Sequence, residues 1–240
     1  MTTLFISDLH LHPSRAASID TFLDFLGRQH GKAEALYILG DLFETWVGDD
    51  HPEPAYQPVK TALLACNTAG TPVYLMHGNR DFMLAQQFAA ETGCTLIADP
   101  TRIDLYGTAT LLMHGDSLCT DDKEYQRLRA QVRDPDWQQQ ARSLPVAQRM
   151  EMAEQARELS ALSKQGKDEY IMDVNQDAVR RVMAEQDVTL LIHGHTHRPG
   201  EHSFSNGTQT CTRIVLGDWY NKGSVLTVDE QHRHLQTLNL

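Results

Sequence analysis

The sequence predicts an α/β fold in which a mainly parallel sheet is flanked by helices. Apolar runs alternate with helical patterns along the chain, and the run at residues 188–192 is typical of a buried strand. Five such runs end in short turns that are rich in glycine, aspartate or histidine. Because the strands of an open α/β sheet deliver their ends to one crevice, residues that are far apart in sequence are expected to meet there.

Composition is that of a soluble globular protein and excludes several function classes. The chain has 240 residues, of which 41% are hydrophobic and 22% are charged, as in ordinary globular domains. The net charge of −11 argues against non-specific binding to duplex nucleic acid, which relies on a broad basic surface. No apolar stretch approaches the ~20 residues that span a bilayer, and no signal peptide is expected. The cysteines form no Cys-x-x-Cys pair, so reduced thiols in a cytosolic protein are predicted.

The first half of the chain repeats a strand followed by a helix. Strands are predicted at residues 2–7, 36–39 and 72–76, and each precedes a segment with helical spacing of apolar residues. Asp81 is predicted to cap the third helix. Two strand-like runs within residues 102–113 predict a hairpin.

Polar residues at the predicted strand ends form the main functional signal. His195 and His197 project to the same side of an extended chain, although such a pair alone would more often be two partly buried histidines. His77 and His193 also end strands, where a structural histidine is the better interpretation. The strand-end donors that together suggest a metal site are Asp8, His10, Asp41, Asn79, His114, His195 and His197. Seven nitrogen and oxygen donors exceed the four of a tetrahedral zinc site, and they suit two adjacent ions of Mn, Fe, Co or Zn better than Mg or Ca.

These blocks, in this order, resemble those of the calcineurin-like metallophosphoesterases. The resemblance implies a four-layer αββα sandwich that holds two divalent metal ions. The ligands that it implies for one ion are Asp8, His10, Asp41 and His197. Those that it implies for the other are Asp41, Asn79, His114 and His195, so that Asp41 bridges the two ions. Asp41 and His114 are therefore also expected to be essential for catalysis.

Arg80 departs from the pattern of this family. Most such enzymes carry a histidine after Gly-Asn, which is thought to help protonate the leaving group, whereas this chain has Gly78-Asn79-Arg80. Arginine does not release its proton at physiological pH, but its fork can neutralise phosphate charge. Arg80 is therefore expected to act in catalysis on a leaving group that is itself a phosphate, as in a pyrophosphate bond. A role in anchoring the substrate is compatible with this one.

An unusually long gap between His114 and His195 predicts an inserted domain. The gap is about twice the other spacings, which suit a βαβ unit. We therefore expect a helical cap at residues 121–170, inserted into a core of residues 1–120 and 171–240.

The predicted cap carries a polar stripe beside an apolar side. Arg157, Ser160 and Lys164 fall on one face of a helix predicted from Val146, and Lys167 extends the stripe. A solvated charged face is the simpler interpretation, but a phosphate-handling site makes the stripe a candidate for substrate recognition. The residues that give the helix its adaptable apolar side are Met150, Met152, Ala153 and Ala156.

A wider set of motifs is similar to one branch of the family. These motifs include Gly-Asp-Leu-Phe-Glu, Gly-Asn-Arg-Asp-Phe, His-Gly-Asp-Ser-Leu-Cys-Thr-Asp-Asp and His-Gly-His-Thr-His-Arg-Pro. The branch consists of Mn²⁺-dependent pyrophosphatases of lipid A biosynthesis that act on UDP-2,3-diacylglucosamine, a lipid-linked UDP-sugar. The resemblance implies UMP and 2,3-diacylglucosamine 1-phosphate as products, and we expect water to attack the α-phosphorus. The substrate contacts that it implies are Asn79, Arg80, Asp122, Ser160, Lys164, Lys167 and His195, to which the stripe adds Arg157.

Two other functions are compatible with the sequence. A phosphodiesterase or nucleotide pyrophosphatase with a soluble substrate would share the metal ligands, although Arg80 and the apolar side of the cap weigh against it. A binding module of the same fold would be expected to have lost metal ligands, and none is missing. A diacylated substrate predicts peripheral contact with the cytoplasmic face of the inner membrane. The sequence suggests no nucleic acid and no obligate protein partner.

Overall fold

Two β-sheets lie face to face at the centre of the fold, in a computed structural model that describes residues 2–51, 53–164, 171–220 and 222–239. The strands of the first sheet are β1 (Thr2–Ile6), β2 (Ala33–Leu39), β3 (Val73–Met76), β4 (Thr95–Ile97), β10 (Lys222–Val228) and β11 (Arg233–Asn239). Their order across the sheet is β11-β10-β1-β2-β3-β4. The four strands from β1 to β4 run parallel, and the β10–β11 hairpin adds antiparallel strands beside β1.

The second sheet contains the strands that precede the later polar blocks. Its strands are β5 (Thr101–Leu105), β6 (Thr108–Met113), β7 (Leu190–His193), β8 (Gly200–Asn206) and β9 (Gln209–Val215), in the order β5-β6-β7-β9-β8. The central strands β6, β7 and β9 run parallel, whereas the edge strands β5 and β8 are antiparallel to their neighbours. The predicted hairpin is therefore present as β5 and β6.

Helices cover the outer face of each sheet and complete four layers. The helices beside the first sheet are α1 (Ala16–Gln29), α2 (Gln57–Thr68) and α3 (Gln86–Thr92), and Phe22, Leu63 and Phe88 pack in one buried cluster with strand residues. The helix α7 (Gln176–Glu185) packs Val179 and Met183 on the second sheet. A third buried cluster joins the two sheets. The predicted αββα sandwich is confirmed, since each layer buries its apolar side against the next.

Parallel strands bring the ends of β1, β2 and β3 to one edge of the first sheet. Ile6 of β1 lies beside Ile38 of β2, which in turn lies beside Leu75 of β3. In the second sheet, Met113 and His193 are neighbours at the ends of β6 and β7. The polar turns that follow these strands are therefore adjacent, as the sequence predicts.

Three helices lie between β6 and α7, within the predicted cap. They are α4 (Lys123–Val132), α5 (Pro135–Ser143) and α6 (Val146–Lys164). The helix predicted from Val146 is α6. The start of α5 is marked by the N-cap Asp134 and by Pro135. None of the helices in the described ranges is long and apolar enough to cross a membrane.

The prediction that Asp81 caps α3 is wrong. The helix begins at Gln86, and its N-cap position is Ala85. The Asp81 carboxylate instead accepts hydrogen bonds from the backbone N–H groups of Leu42 and Gly78, both at 2.8 Å. Asp81 thereby ties the loop after β2 to the loop after β3, a role that local sequence spacing does not reveal.

Candidate metal centre

The seven predicted metal ligands lie together at the shared edge of the two sheets. The first group contains Asp8, His10 and His197, whose donor atoms lie within 4.8 Å of one another. His197 Nε2 is 3.2 Å from Asp8 Oδ1 and 3.3 Å from His10 Nε2. Asp41 adjoins this group, with its Oδ2 3.7 Å from His10 Nε2.

The second group converges on the side-chain oxygen of Asn79. This oxygen lies 3.1 Å from His114 Nε2 and 3.0 Å from His195 Nδ1. Asp41 Oδ2 is 3.8 Å from His114 Nε2, so one carboxylate oxygen of Asp41 faces an imidazole of each group. The other oxygen, Oδ1, accepts a hydrogen bond of 2.8 Å from the backbone N–H of Arg80.

Partners behind three of the imidazole rings leave one nitrogen of each of these rings directed at the cluster of candidate ligands. His114 Nδ1 donates to the carbonyl oxygen of Leu39 at 2.9 Å, which leaves Nε2 with the lone pair in the neutral ring. Carboxylates stand behind the rings of two further ligands. Nδ1 of His10 is 3.1 Å from Glu44 Oε2, and Nδ1 of His197 is 3.4 Å from Asp218 Oδ2. Such partners fix the orientation of metal-binding imidazoles, so these residues fit a divalent ion.

The backbone of most ligands is held in the left-handed region. The ligands with positive φ are Asp8 (55°), His10 (49°), Asp41 (54°), His195 (68°) and His197 (55°). This conformation costs non-glycine residues roughly 1–2 kcal/mol each and is found preferentially at functional sites. Gly78 permits the tight packing of these turns, because a Cβ at this position would overlap the carboxylate of Asp41.

Buried negative charge makes the cluster suited to a cation. Asp8, Asp41 and His114 are almost completely buried. Burial raises the pKa of Asp41. Burial alone would lower the pKa of His114, but the nearby carboxylates of Asp41, Asp116 and Asp8 raise it to about 9. The carboxylates around His114 therefore favour a positive charge at this position, as they would favour a bound cation.

A cavity of about 330 Å³ opens beside the second group. Asn79 and Arg80 line the end next to the ligands, and helices α4, α5 and α6 contribute much of the remaining wall. Large apolar side chains in this wall are Trp46, Phe82, Leu128, Val132, Trp137 and Met152. The volume and the apolar lining are typical of a pocket that holds a small ligand.

The predicted substrate contacts divide into four sets. Asn79, Arg80, Arg157 and Ser160 line the cavity. His195 lies in the second ligand group, where the ring of Tyr125 stacks on its imidazole with the two ring centroids 5.8 Å apart. The carboxylate of Asp122 caps α4 by accepting from the backbone N–H of Tyr125 at 3.1 Å. Lys167 and the side chain of Lys164 lie outside the described residues.

Several residues that support the site were not singled out from the sequence. Asp116 lines the cavity and accepts hydrogen bonds from Tyr125 Oη at 2.7 Å and from Arg129 Nε at 2.8 Å. Asp116 and Glu44 stand within motifs that carry ligands, but a motif does not show which partner a side chain has. Asp218 follows a strand and a glycine, the same pattern as Gly40-Asp41, and could have been found by that signal.

This chain is similar to several known proteins. The chain is 52% identical over 245 residues to the UDP-2,3-diacylglucosamine hydrolase of Stenotrophomonas maltophilia (strain K279a), with 99% of each chain covered. It is 51% identical over 247 residues to the UDP-2,3-diacylglucosamine hydrolase of Xanthomonas axonopodis pv. citri (strain 306), with 100% of each covered. An archaeal phosphodiesterase of known structure has a similar fold, with a TM-score of 0.51 and 12% identity over the full length of both chains. The sequence profile of the calcineurin-like phosphoesterases matches residues 1–199, and the chain belongs to that family.

Proposed function

We propose that this protein hydrolyses the pyrophosphate bond of UDP-2,3-diacylglucosamine and releases UMP and 2,3-diacylglucosamine 1-phosphate, as a step of lipid A biosynthesis. One observation carries the proposal. The ligand cluster opens directly onto an apolar cavity, and Arg80 stands where the two meet. A substrate with a charged pyrophosphate and two acyl chains needs this combination. The names of the relatives, which are more than half identical to this chain, support the same substrate.

The proposed cofactor is a pair of divalent ions, with Mn²⁺ as the expected metal. Asp8, His10 and His197 would hold one ion, Asn79, His114 and His195 the other, and Asp41 would contact both. Bound there, two ions would supply Lewis acidity and positive charge for an in-line displacement at phosphorus. The mixed imidazole and carboxylate donors support a transition metal over Mg²⁺ or Ca²⁺.

The proposed lid is the segment of residues 121–170, with the remainder of the chain as the catalytic core. Contacts between the two support a lid that seats on the metal side of the core. Arg133, the C-cap residue of α4, donates to the carbonyl oxygen of Gly78 at 2.9 Å, beside Asn79. Arg149 of α6 donates to the carbonyl oxygen of Val47. The acyl chains would lie in the apolar cavity between these helices and the core loops.

The polar residues around the cavity would position the sugar and the phosphates. Arg157 and Ser160 of α6 line the same cavity as Asn79 and Arg80. Their donors suit phosphate and sugar oxygens. We include His195 and, on the resemblance alone, Asp122, Lys164 and Lys167 in the same role.

The proposed reaction is attack of water on the α-phosphorus, which carries the uridine. A new P–O bond forms to the water oxygen, and the bond to the bridging oxygen breaks. That oxygen leaves on the β-phosphorus as the phosphate of the lipid product. Arg80 would neutralise the departing charge through its guanidinium fork. Its main chain is fixed on both sides, because its N–H donates to Asp41 and its carbonyl accepts from the Trp46 N–H at 3.1 Å. Asp41 and His114 would hold the reacting groups in place.

A membrane-embedded substrate implies contact with a bilayer. We propose peripheral attachment to the cytoplasmic face of the inner membrane, where UDP-sugars are made, with no nucleic acid and no obligate protein partner. Exposed apolar side chains on the cap, among them Leu128 and Leu159, support this contact. Interfacial binding of this kind scales with the apolar area that is buried.

The function is tested by incubating the pure protein with UDP-2,3-diacylglucosamine and Mn²⁺ in ¹⁸O-labelled water. The expected products are UMP that carries one ¹⁸O and an unlabelled lipid phosphate. Label in the lipid phosphate would contradict attack at the α-phosphorus. Turnover of soluble nucleotide diphosphates or phosphodiesters, with none of the lipid substrate, would contradict the proposed substrate.

A further inference from the structure

A second cavity, about 290 Å³ in volume, lies beside the loop that carries His195 and His197. It shares no lining residue with the cavity under the cap. Four charged or titratable side chains line it, namely Asp173, Arg198, His202 and Arg213. Two arginines against one aspartate give a positive site in a protein whose net charge is −11.

Arg213 is the centre of this cavity. Its side chain is only 4% exposed, and its Nη1 donates to Nε2 of His193 at 3.2 Å. Among the described residues, its Nε has no hydrogen-bond partner and no carboxylate lies within ion-pair distance of its guanidinium. A buried guanidinium without a counter-charge is strongly destabilising, so an anion at this position would compensate it.

Neighbouring groups increase the need for a counter-charge. His202 of β8 lies directly opposite Arg213 of β9 in the antiparallel pair, so both side chains project from the same face. Two basic groups in this arrangement destabilise a sheet when both are charged. Burial and the charge of Arg213 lower the pKa of His202, which agrees with a positive environment. Asp173 acts on Arg213 electrostatically, but its carboxylate is paired with Arg198 at 3.1 Å, so one carboxylate serves two guanidinium groups and a positive charge is left over.

A further donor in the lining is also without a partner. The hydroxyl of Thr196 is buried and has no hydrogen-bond partner among the described residues. A hydroxyl beside guanidinium groups is a typical surrounding for a tetrahedral oxyanion. A water molecule could accept the hydrogen bonds of Arg213 and Thr196 but would not balance the charge.

We propose that this second cavity binds a tetrahedral oxyanion of the phosphate class, with Arg213, Thr196 and Arg198 as its donors. The bound anion would also support the ligand loop. Arg213 contacts His193, whose Nδ1 donates to the carbonyl oxygen of Gly194 at 2.8 Å, immediately before His195. An anion that orders Arg213 therefore orders the segment from which two predicted metal ligands extend.

Binding is measured by calorimetry with inorganic phosphate on the Mn²⁺-loaded protein, with chloride at equal ionic strength as the reference. Because phosphate could also bind at the metal centre, the same titration is made on Asn79→Ala, which should retain the site. Loss of one charged hydrogen bond should weaken binding roughly 10- to 100-fold, so Arg213→Met and Arg198→Met should each show this loss. Unchanged affinity in both variants would overturn the proposal.

A second measurement does not depend on the stability of the Arg213 variant. Crystals of the unmodified protein are soaked in selenate, and the anion is located by its anomalous signal. A peak within hydrogen-bond distance of Arg213 is expected, and peaks confined to the metal centre would contradict the site. If glycerol 3-phosphate displaces the bound selenate, the natural oxyanion belongs to a phosphate monoester. If only inorganic phosphate displaces it, the natural oxyanion is the free ion. Both results support the site.

Discussion

The carboxylate of Glu44 lies 3.1 Å from Nδ1 of His10, on the side of the ring opposite the ligand cluster. Burial would raise the pKa of Glu44, but the contact with His10 lowers it to about 2, so Glu44 is ionised at neutral pH. An ionised carboxylate holds Nδ1 in its protonated form and leaves Nε2 facing Asp8 and Asp41. Glu44 thus orients the ring of His10, a candidate metal ligand, from the side that faces away from the other candidate ligands.

Replacement of Glu44 should therefore weaken metal binding. We expect Glu44→Gln to lower the affinity for Mn²⁺ about 10- to 100-fold, the usual effect of losing such a partner. Metal titration followed by calorimetry measures this change. Glu91→Gln is the matched control, because Glu91 pairs with Lys60 on the surface and lies outside the cluster. Equal affinities in the two variants would contradict the role given to Glu44.

Asp41 should be the least replaceable ligand, because its carboxylate faces both groups of donors. We expect Asp41→Ala to abolish turnover and to reduce the metal content, since neither ion would keep its shared ligand. Asp24→Ala, an exposed aspartate of α1, should retain activity and metal. Near-normal turnover by Asp41→Ala with two metal ions still bound would refute a bridged pair.

The convergence of the seven candidate ligands could be predicted from sequence, because it follows from the fold class. Asp8, Asp41 and His114 each follow a strand, and strand ends meet at one edge whatever the details of packing. Asp81 also follows a strand, but its carboxylate binds backbone N–H groups of another loop. Asp81 is predicted to cap a helix because capping rules consider only the neighbouring sequence. They take no account of backbone N–H groups that another loop brings to the carboxylate.

Contacts between the cap and the core could not be predicted. Arg149 belongs to a helix that the sequence indicates, yet its partners Asp50 and Val47 lie about a hundred residues away in a loop. Both Arg149 and Arg157 line the cavity, and nothing in the spacing of α6 shows that Arg149 is buried whereas Arg157 is partly exposed. Long-range pairs of this kind depend on how the cap is placed on the core, and a single sequence does not fix that placement.

We expect Arg149 to hold the cap on the core mainly through hydrogen bonds to backbone carbonyl oxygens, and less through its ion pair with Asp50. Its guanidinium donates to the carbonyl oxygens of Leu144 and Val47 as well as to Asp50. Because Asp50 is 60% exposed, Asp50→Asn should cost less than about 1 kcal/mol of unfolding free energy. Arg149→Ala removes all of these bonds and should cost about 2–3 kcal/mol. Urea denaturation gives both values, and equal losses would contradict this division.

The cap should provide the contact with lipid. Leu159 is 67% exposed and Leu128 is 44% exposed. Leu64 is also 44% exposed, but it lies on α2, outside the cap. Replacing Leu128 and Leu159 by glutamine should reduce sedimentation with vesicles that contain the substrate, because interfacial affinity scales with buried apolar area. Leu64→Gln is the matched control and should sediment like the unmodified protein. If the cap variant also sediments normally and hydrolyses vesicle-bound substrate at an unchanged rate, the cap is not the contact.

Substitutions of Arg80 test whether the site is adapted to a phosphate leaving group. The departing lipid phosphate is weakly basic, so it gains more from a fixed positive charge than from a proton. Removal of one such donor commonly costs ~2.7–4 kcal/mol, so Arg80→Ala should lower kcat by roughly two to three orders of magnitude. Arg80→Lys retains the charge without the fork and should recover part of the rate. Arg80→His restores the residue usual in the family and should remain slow on the pyrophosphate, since a general acid helps such a leaving group little.

Steady-state rates for the three variants are compared at equal metal content. Full activity of Arg80→His would refute the role of Arg80 as a fixed charge, and so would an Arg80→Lys variant no faster than Arg80→Ala.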